Sequence, residues 1–272
     1  MNNIVVRTIS GAVFVALILI PLWLSKETAG VIFSLFMLLG LIEFYKLFNM
    51  SKIVSVNWKW ASAIGFFIYA LISGVIFNII PVQLLVVIVP LIFILFIGEI
   101  WQKKENPLLN VAIIGLGHLY VIIPFLFMIY LIKNDDSSFP LLAGMFILIW
   151  MNDTFAFLSG KFFGKTKLLE RISPNKTWEG TIGGSFFTLL AGVAIGFLFD
   201  QENVVFWIIS AIIIAPSAII GDLLESLFKR NAGVKDSGSI MPGHGGILDR
   251  FDATLFTIPI FFAWVVIYKL IC

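Results

Sequence analysis

Long apolar runs separated by short polar segments dominate this chain of 272 residues. A helix needs about 20 mostly apolar residues to cross the hydrocarbon core of a bilayer. The stretches that approach this length are residues 8–25, 28–48, 60–79, 82–100, 110–132, 140–160, 178–199, 204–228 and 250–271. The pattern therefore predicts an all-α polytopic membrane protein with about nine transmembrane helices. The first run follows Arg7, as in a secretory signal, but no A-x-A-like cleavage site follows it, so we interpret it as the first span.

The composition supports this interpretation and excludes several kinds of site. Hydrophobic residues make up 60% of the chain, charged residues only 12%, and the mean hydropathy is +1.05. A soluble domain of this size would need more polar surface. The one cysteine, Cys272, is the last residue, which rules out an internal disulfide and a cysteine metal site. The net charge of +2 is nearly balanced, and we expect no nucleic-acid partner.

The distribution of lysine and arginine predicts the orientation of the spans, because cytoplasmic loops carry an excess of basic residues. With the N-terminus in the cytoplasm, 15 of the 18 basic residues fall in inner segments. The outer segments then hold only Lys26, Lys133 and Lys269. We therefore expect a cytoplasmic N-terminus and an outer C-terminus. We divide the chain into N-terminal transmembrane helices at 1–100 and a second transmembrane region at 101–272, which carries the candidate chemistry described next.

Four aspartates lie at the predicted cytoplasmic ends of the late spans: Asp153, Asp222, Asp249 and Asp252. An ionisable group at that depth is costly unless it faces protein, water or a bound ion. Each one alone is more often an interfacial charge, but four at one level indicate a shared divalent cation. Oxygen ligands without cysteine favour Mg²⁺ over zinc.

Two polar segments on the predicted inner side carry the other candidate chemistry. "KDSGSIMPGHGGILDRFD", residues 235–252, interleaves carboxylates and cations around a glycine turn, the composition that holds a metal and a polyphosphate. Its glycines precede a helix start, where free amide groups can bind phosphate, although a glycine-rich loop alone is more often a tight turn. In "SPNKTWEGTIGG", residues 173–184, Lys176 is a candidate phosphate ligand, and Ser173 or Thr177 is a candidate helix cap.

Residues 226–252, "SLFKRNAGVKDSGSIMPGHGGILDRFD", closely resemble the signature of the phosphatidate cytidylyltransferase (CDP-diacylglycerol synthase) family. "NDTFAF" and "SPNKTWEGTIGG" also resemble family segments. The resemblance is specific over about residues 150–255 and elsewhere rests on the number of spans and on hydropathy. It implies that CTP and phosphatidate react to CDP-diacylglycerol and pyrophosphate in phospholipid biosynthesis, with the active site at the cytoplasmic side of the C-terminal helices.

The resemblance also assigns roles to individual residues. It implies that Asp222 and Asp249, followed by Asp252 and Asp153, bind Mg²⁺, with K⁺ as a candidate second ion. The residues expected to form the catalytic site are Asp222, Lys229, Arg230, Lys235, Asp236, His244, Asp249, Arg250 and Asp252. The residues expected to bind substrate are Ser173, Asn175, Lys176, Thr177, Ser226, Gly245 and Gly246. A homodimer in the bacterial inner (cytoplasmic) membrane is implied as well.

Two alternatives stay open at this stage. A CTP-dependent lipid kinase of the polyprenol or phytol type is similar in its C-terminal part, and it would transfer the γ-phosphoryl group to an alcohol. An ion-coupled transporter is the alternative of another class. Its coupling carboxylates should lie near the bilayer midplane, whereas here the acids gather at the predicted inner edge.

Overall fold

The computed structural model describes residues 3–101, 104–137, 139–199, 203–241 and 245–271, and most of them are helical. The helices are α1 (Asn3–Leu24), α2 (Lys26–Met50), α3 (Trp58–Ile76), α4 (Ile88–Trp101), α5 (Pro107–Gly117), α6 (Ile123–Asn134), α7 (Leu141–Phe163), α8 (Trp178–Phe199), α9 (Val204–Asn231) and α10 (Leu248–Ile271). A 3₁₀ segment, Val82–Val87, leads into α4, and a π-helical turn, His118–Ile122, joins α5 to α6.

The helical class predicted from the sequence is confirmed. Within the described residues, eight helical segments are long and apolar enough to cross a membrane, and each coincides with a predicted span. The first predicted span lies on α1, where residues Thr8–Leu24 form an apolar helix. The count of nine spans and the side on which each end lies stay predictions.

A short hairpin is the one sheet in the described part of the chain. Strands β1 (Lys167–Leu169) and β2 (Ser173–Thr177) pair antiparallel between α7 and α8. Glu179, in the first turn of α8, accepts hydrogen bonds from the backbone amides of Lys165 and Thr166. These bonds tie the chain that enters the hairpin to the helix that follows it. Residues 173–177 thus form a strand that leads directly into α8.

The backbone forms two compact units. The first comprises Met1–Asn134 and Phe228–Arg250, and the second comprises Asp135–Leu227 and Phe251–Cys272. The division predicted from the sequence, at 1–100 and 101–272, separates regions by their expected function and not by how tightly they pack. That the catalytic residues lie in 101–272 stays a prediction.

In the first unit, α2 supplies much of the core, with Phe33, Met37, Leu41 and Phe44 fully buried. Phe228, at the start of the later segment, lies edge-on to Phe44 and Tyr120, at centroid distances of 6.1 and 5.1 Å. Aromatic pairs in this geometry stabilise beyond the area that they bury. Residues 228–250 are thereby fixed to the N-terminal helices.

In the second unit, glycines let α7 and α8 approach closely. A side-chain carbon added at Gly180 would lie 2.7 Å from the Ala156 carbonyl oxygen and 3.1 Å from Gly160 Cα. Phe155 and Phe187 stack across the same pair of helices, at 3.9 Å between ring centroids. This contact fixes the ends of α7 and α8 from which the hairpin projects.

Candidate active site

An acidic cluster of four side chains lies within the second unit: Asp153 on α7, Asp222 and Glu225 on α9, and Asp252 on α10. The carboxylates of Asp222, Glu225 and Asp153 are close enough to Asp252 to repel its negative charge. Glu225 is completely buried, whereas Asp153 is exposed. Like charges held this close need a positive partner to remain ionised. The cluster therefore favours a bound cation.

Lys176, on strand β2, brings one positive charge to this cluster. Its Nζ lies 2.6 Å from Asp222 Oδ2, and the two side chains are 25% and 31% exposed. Ser226, one turn further along α9, donates to the other Asp222 oxygen at 3.3 Å. Asp222 and Ser226 are four positions apart on α9, whereas Lys176 belongs to a separate motif that the fold brings to them.

The other predicted residues of the hairpin take different roles. The Thr177 hydroxyl accepts a hydrogen bond from the Gly180 amide at 3.2 Å, the geometry of a helix N-cap. Asn175 is exposed, and Ser173 is half-buried at the start of β2. The structure thus supports the cap that was expected of Thr177 and leaves Asn175 accessible.

In the first unit, Asp249 is held by four hydrogen bonds. Lys229 Nζ donates to Asp249 Oδ1 at 2.7 Å, and the two side chains are only 12% and 7% exposed. The amide of Ser237, its hydroxyl and the amide of Gly246 donate to Oδ2 at 2.9, 2.8 and 2.8 Å. A metal ion bound to Asp249 would replace some of these bonds.

Glu43, on α2, is a buried acid that contacts the start of α10. It is 4% exposed, and its Oε2 accepts the Leu248 amide, at the start of α10, at 2.8 Å. No local pattern could reveal this contact, because the two partners are 205 positions apart in the chain.

The glycines of the loop lie against these two carboxylates. Gly245 has a positive φ of 80°, and a side-chain carbon there would overlap Asp249 Oδ2. A carbon at Gly246 would overlap Glu43, and one at Gly238 would lie 2.5 Å from Glu43 Oε1. The expectation of free amides for phosphate is not met at Gly246 and Leu248, because protein carboxylates already accept from both.

The other described residues that were predicted in this loop and at the adjoining helix ends are more exposed than Glu43. Arg230, Lys235 and Asp236 are exposed, and Arg250 is half-buried. Arg230 donates to the Val234 carbonyl oxygen at 3.3 Å. His244 lies outside the described residues.

A search for similar proteins identifies the chain's family. A model of the cytidylyltransferase family matches residues 5–268. A phosphatidate cytidylyltransferase of Staphylococcus haemolyticus is 37% identical over 258 residues, covering 94% of this chain and 96% of that protein. Proteins of the same name from Staphylococcus aureus strain COL and Staphylococcus saprophyticus are 37% and 36% identical, with the same coverage of each chain.

The chain belongs to the cytidylyltransferase family. The resemblance read from residues 226–252 is thereby confirmed. The match also extends to the N-terminal helices, where the sequence offered only hydropathy. Glu43 thus lies within the part of the chain that the family shares.

The donors of the acidic cluster fit a magnesium ion in this cytidylyltransferase. They are all oxygen atoms, as Mg²⁺ prefers. Among the described residues, however, no three histidine, cysteine, aspartate or glutamate side chains converge into a ready metal site. Mg²⁺ commonly uses one or two carboxylates and completes its shell with waters and substrate phosphates. The cluster suits that mode of binding better than a closed protein cage.

Proposed function

We infer that this membrane protein is an enzyme that transfers the cytidylyl group of CTP to phosphatidate, forming CDP-diacylglycerol and pyrophosphate in phospholipid biosynthesis. The observation that carries this inference is the 37% identity, over 94% of the chain, to proteins named phosphatidate cytidylyltransferase. The acidic cluster with Lys176 and the basic loop after α9 supply charges suited to such substrates.

In the proposed reaction, a phosphate oxygen of phosphatidate forms a bond to the α-phosphorus of CTP. The bond between that phosphorus and the oxygen that bridges to the β-phosphorus breaks, and pyrophosphate leaves with the electron pair. The attacking oxygen is already anionic, so the protein need not remove a proton from it. Catalysis then depends on positioning and on stabilising negative charge.

The acidic cluster is the proposed Mg²⁺ site, with Asp222, Asp252 and Asp153 as its ligands. Asp249 remains a proposed ligand that would first exchange its hydrogen bonds, and K⁺ remains a proposed second ion. When bound, Mg²⁺ would neutralise charge on the phosphate oxygens. Lys176, paired with Asp222 at 2.6 Å, would bind a phosphate if the metal took over that carboxylate.

Two exposed cations are proposed to hold phosphate groups: Arg230, at the end of α9, and Lys235, in the loop that follows. Lys229, Arg250 and His244 are proposed to do the same. Asn175, Ser173 and Ser226 are proposed substrate contacts, since the first is exposed and Ser226 lies beside Asp222. The CTP pool is cytosolic, which agrees with the predicted cytoplasmic side of these groups. A location in the bacterial cytoplasmic membrane and a homodimeric state are part of the same proposal.

The purified protein, incubated with CTP and phosphatidate, tests the proposal. We expect CDP-diacylglycerol and pyrophosphate with Mg²⁺, and no product when EDTA removes the metal. Formation of CDP and a phosphorylated alcohol would instead identify a CTP-dependent lipid kinase. Failure to bind CTP at all, with ion flux in vesicles, would identify a transporter.

Asp222→Asn tests the acidic cluster. We expect kcat to fall by about 100-fold or more, because the variant loses a charge that holds the metal. Asp135→Asn is the matched control, since Asp135 also lies in the second unit but accepts from Ser137 and Leu141 near the start of α7. Full activity of Asp222→Asn at saturating Mg²⁺ would remove Asp222 from the metal site.

A further inference from the structure

Glu43 lies between two parts of the segment that carries most of the predicted catalytic residues. On one side it accepts the Leu248 amide at 2.8 Å, which fixes the first turn of α10. On the other side its Oε1 abuts Gly238, where an added side-chain carbon would lie only 2.5 Å away. One buried carboxylate on α2 thus contacts both ends of residues 238–248.

The hydrogen bond from the Leu248 amide to Glu43 is suited to holding the backbone in place. A glutamate near the positive end of a helix is stabilised by the free amides and by the helix dipole. Its burial excludes competing water, and hydrogen bonds to a charged acceptor are among the stronger ones in proteins. Gly246 fits against the same carboxylate only because it has no side chain.

Gly246, which lies against Glu43, also contacts Asp249. The Gly246 amide donates to Asp249 Oδ2 at 2.8 Å, and Gly246 is in van der Waals reach of Glu43. Glu43 therefore lies against Gly246, and Asp249 lies against Gly245. A shift of these two glycines would change the hydrogen-bond partners of Asp249. Lys229, which pairs with Asp249, would lose its partner in turn.

We propose that Glu43 is a positioning residue for cytidylyl transfer. It anchors Gly238, Gly246 and the start of α10, so that Asp249 and Lys229 keep their positions. Glu43 does not touch substrate in this proposal. The proposal rests on the proposed function, since it assigns to α2 a part in that reaction. It also gives the N-terminal helices a role beyond membrane anchoring.

Glu99 provides a matched control. It is a glutamate of the same unit, 5% exposed, on α4. It pairs with Lys104 at 2.9 Å and accepts from Asn110 at 2.8 Å. Glu43→Gln and Glu99→Gln therefore each remove one buried carboxylate charge from the first unit, but only the first change reaches the loop.

The experiment compares both variants with the wild-type protein in detergent or nanodiscs. Steady-state kinetics give kcat and KM for CTP, thermal unfolding gives stability, and amide hydrogen exchange followed by mass spectrometry reports on residues 236–249. Wild-type activity in the same assay establishes the proposed function independently. If the wild-type protein were inactive, that function would fail, whereas the exchange data would still test the anchor.

For Glu43→Gln we expect at least tenfold lower kcat/KM for CTP and at least tenfold faster exchange in the loop. For Glu99→Gln we expect less than threefold changes in both at a similar loss of thermal stability. Glu43→Asp, which keeps the charge on a shorter side chain, should recover part of the protection. Wild-type exchange and kcat/KM in Glu43→Gln, or equal losses in Glu99→Gln, would overturn the proposal.

Discussion

At the scale of single residues, the environment of each carboxylate differs more than the motifs suggest. Asp249 is almost enclosed and accepts four hydrogen bonds, whereas Asp153 is exposed and lies close enough to Asp252 to repel its charge. The first arrangement holds one backbone conformation, whereas in the second arrangement like charges repel one another and Lys176 offsets part of that repulsion. Asp249 and Asp252, three positions apart on α10, thus lie in different environments, the first among hydrogen-bond donors and the second among acids.

Lys229→Met tests how much the enclosed ion pair contributes. The change leaves Asp249 with little access to water and without its cation, and removing one partner of a buried pair typically costs about 3 kcal/mol or more. We expect the melting temperature in detergent to fall accordingly. Adding Asp249→Asn to Lys229→Met should restore most of that loss, because the buried charge is gone, but should not restore turnover. A double variant no more stable than Lys229→Met would show that the pair contributes little to folding.

At the scale of helices, small residues and helix ends determine where the polar groups lie. Gly180 allows α8 to approach the backbone of α7 near Ala156 and Gly160. Thr177 then caps α8, and β2 places Lys176 beside Asp222. The position of a candidate phosphate ligand thus follows from the packing of two membrane helices.

Gly180→Ala tests this packing. The added methyl group would meet backbone atoms, which cannot rotate away, and overpacking of this kind costs roughly 1–3 kcal/mol. Gly115→Ala is the control, because a side-chain carbon there would meet nothing within 4 Å, and alanine favours a helix over glycine by about 1 kcal/mol. Thermal unfolding should show a loss for Gly180→Ala and no loss for Gly115→Ala. Equal stability of the two variants would contradict the close contact.

At the scale of the whole molecule, apolar helices and the basic residues between them predict how the chain lies in a membrane. Eight described helical segments are long and apolar enough to span it. Backbone polar groups in hydrocarbon must pair within the chain, which helices achieve. The predicted orientation places the loop after α9 on the cytoplasmic side and the turn after α3 on the outer side.

Thiol labelling tests that orientation. In a Cys272→Ser background, single cysteines replace Ser239, which is exposed in the loop after α9, or Ile79, which is 78% exposed in the turn after α3. In intact cells, we expect an impermeant maleimide to label Ile79→Cys and not Ser239→Cys, and inverted vesicles should show the reverse. Labelling of Ser239→Cys from outside would place the loop away from cytosolic CTP and contradict the proposed site.

The sequence alone determined the helical membrane class, the family and the candidate site residues, because span length and local motifs are written in consecutive positions. It predicted Asp222 and Lys176 separately, but only the fold decided that they pair. Glu43 and Leu248 carry no joint pattern, since they are 205 positions apart in the chain. Tertiary packing alone decided which acids accept hydrogen bonds from the backbone and which lie close to other acids. Burial and hydrogen-bond partners depend on residues that are distant in the chain.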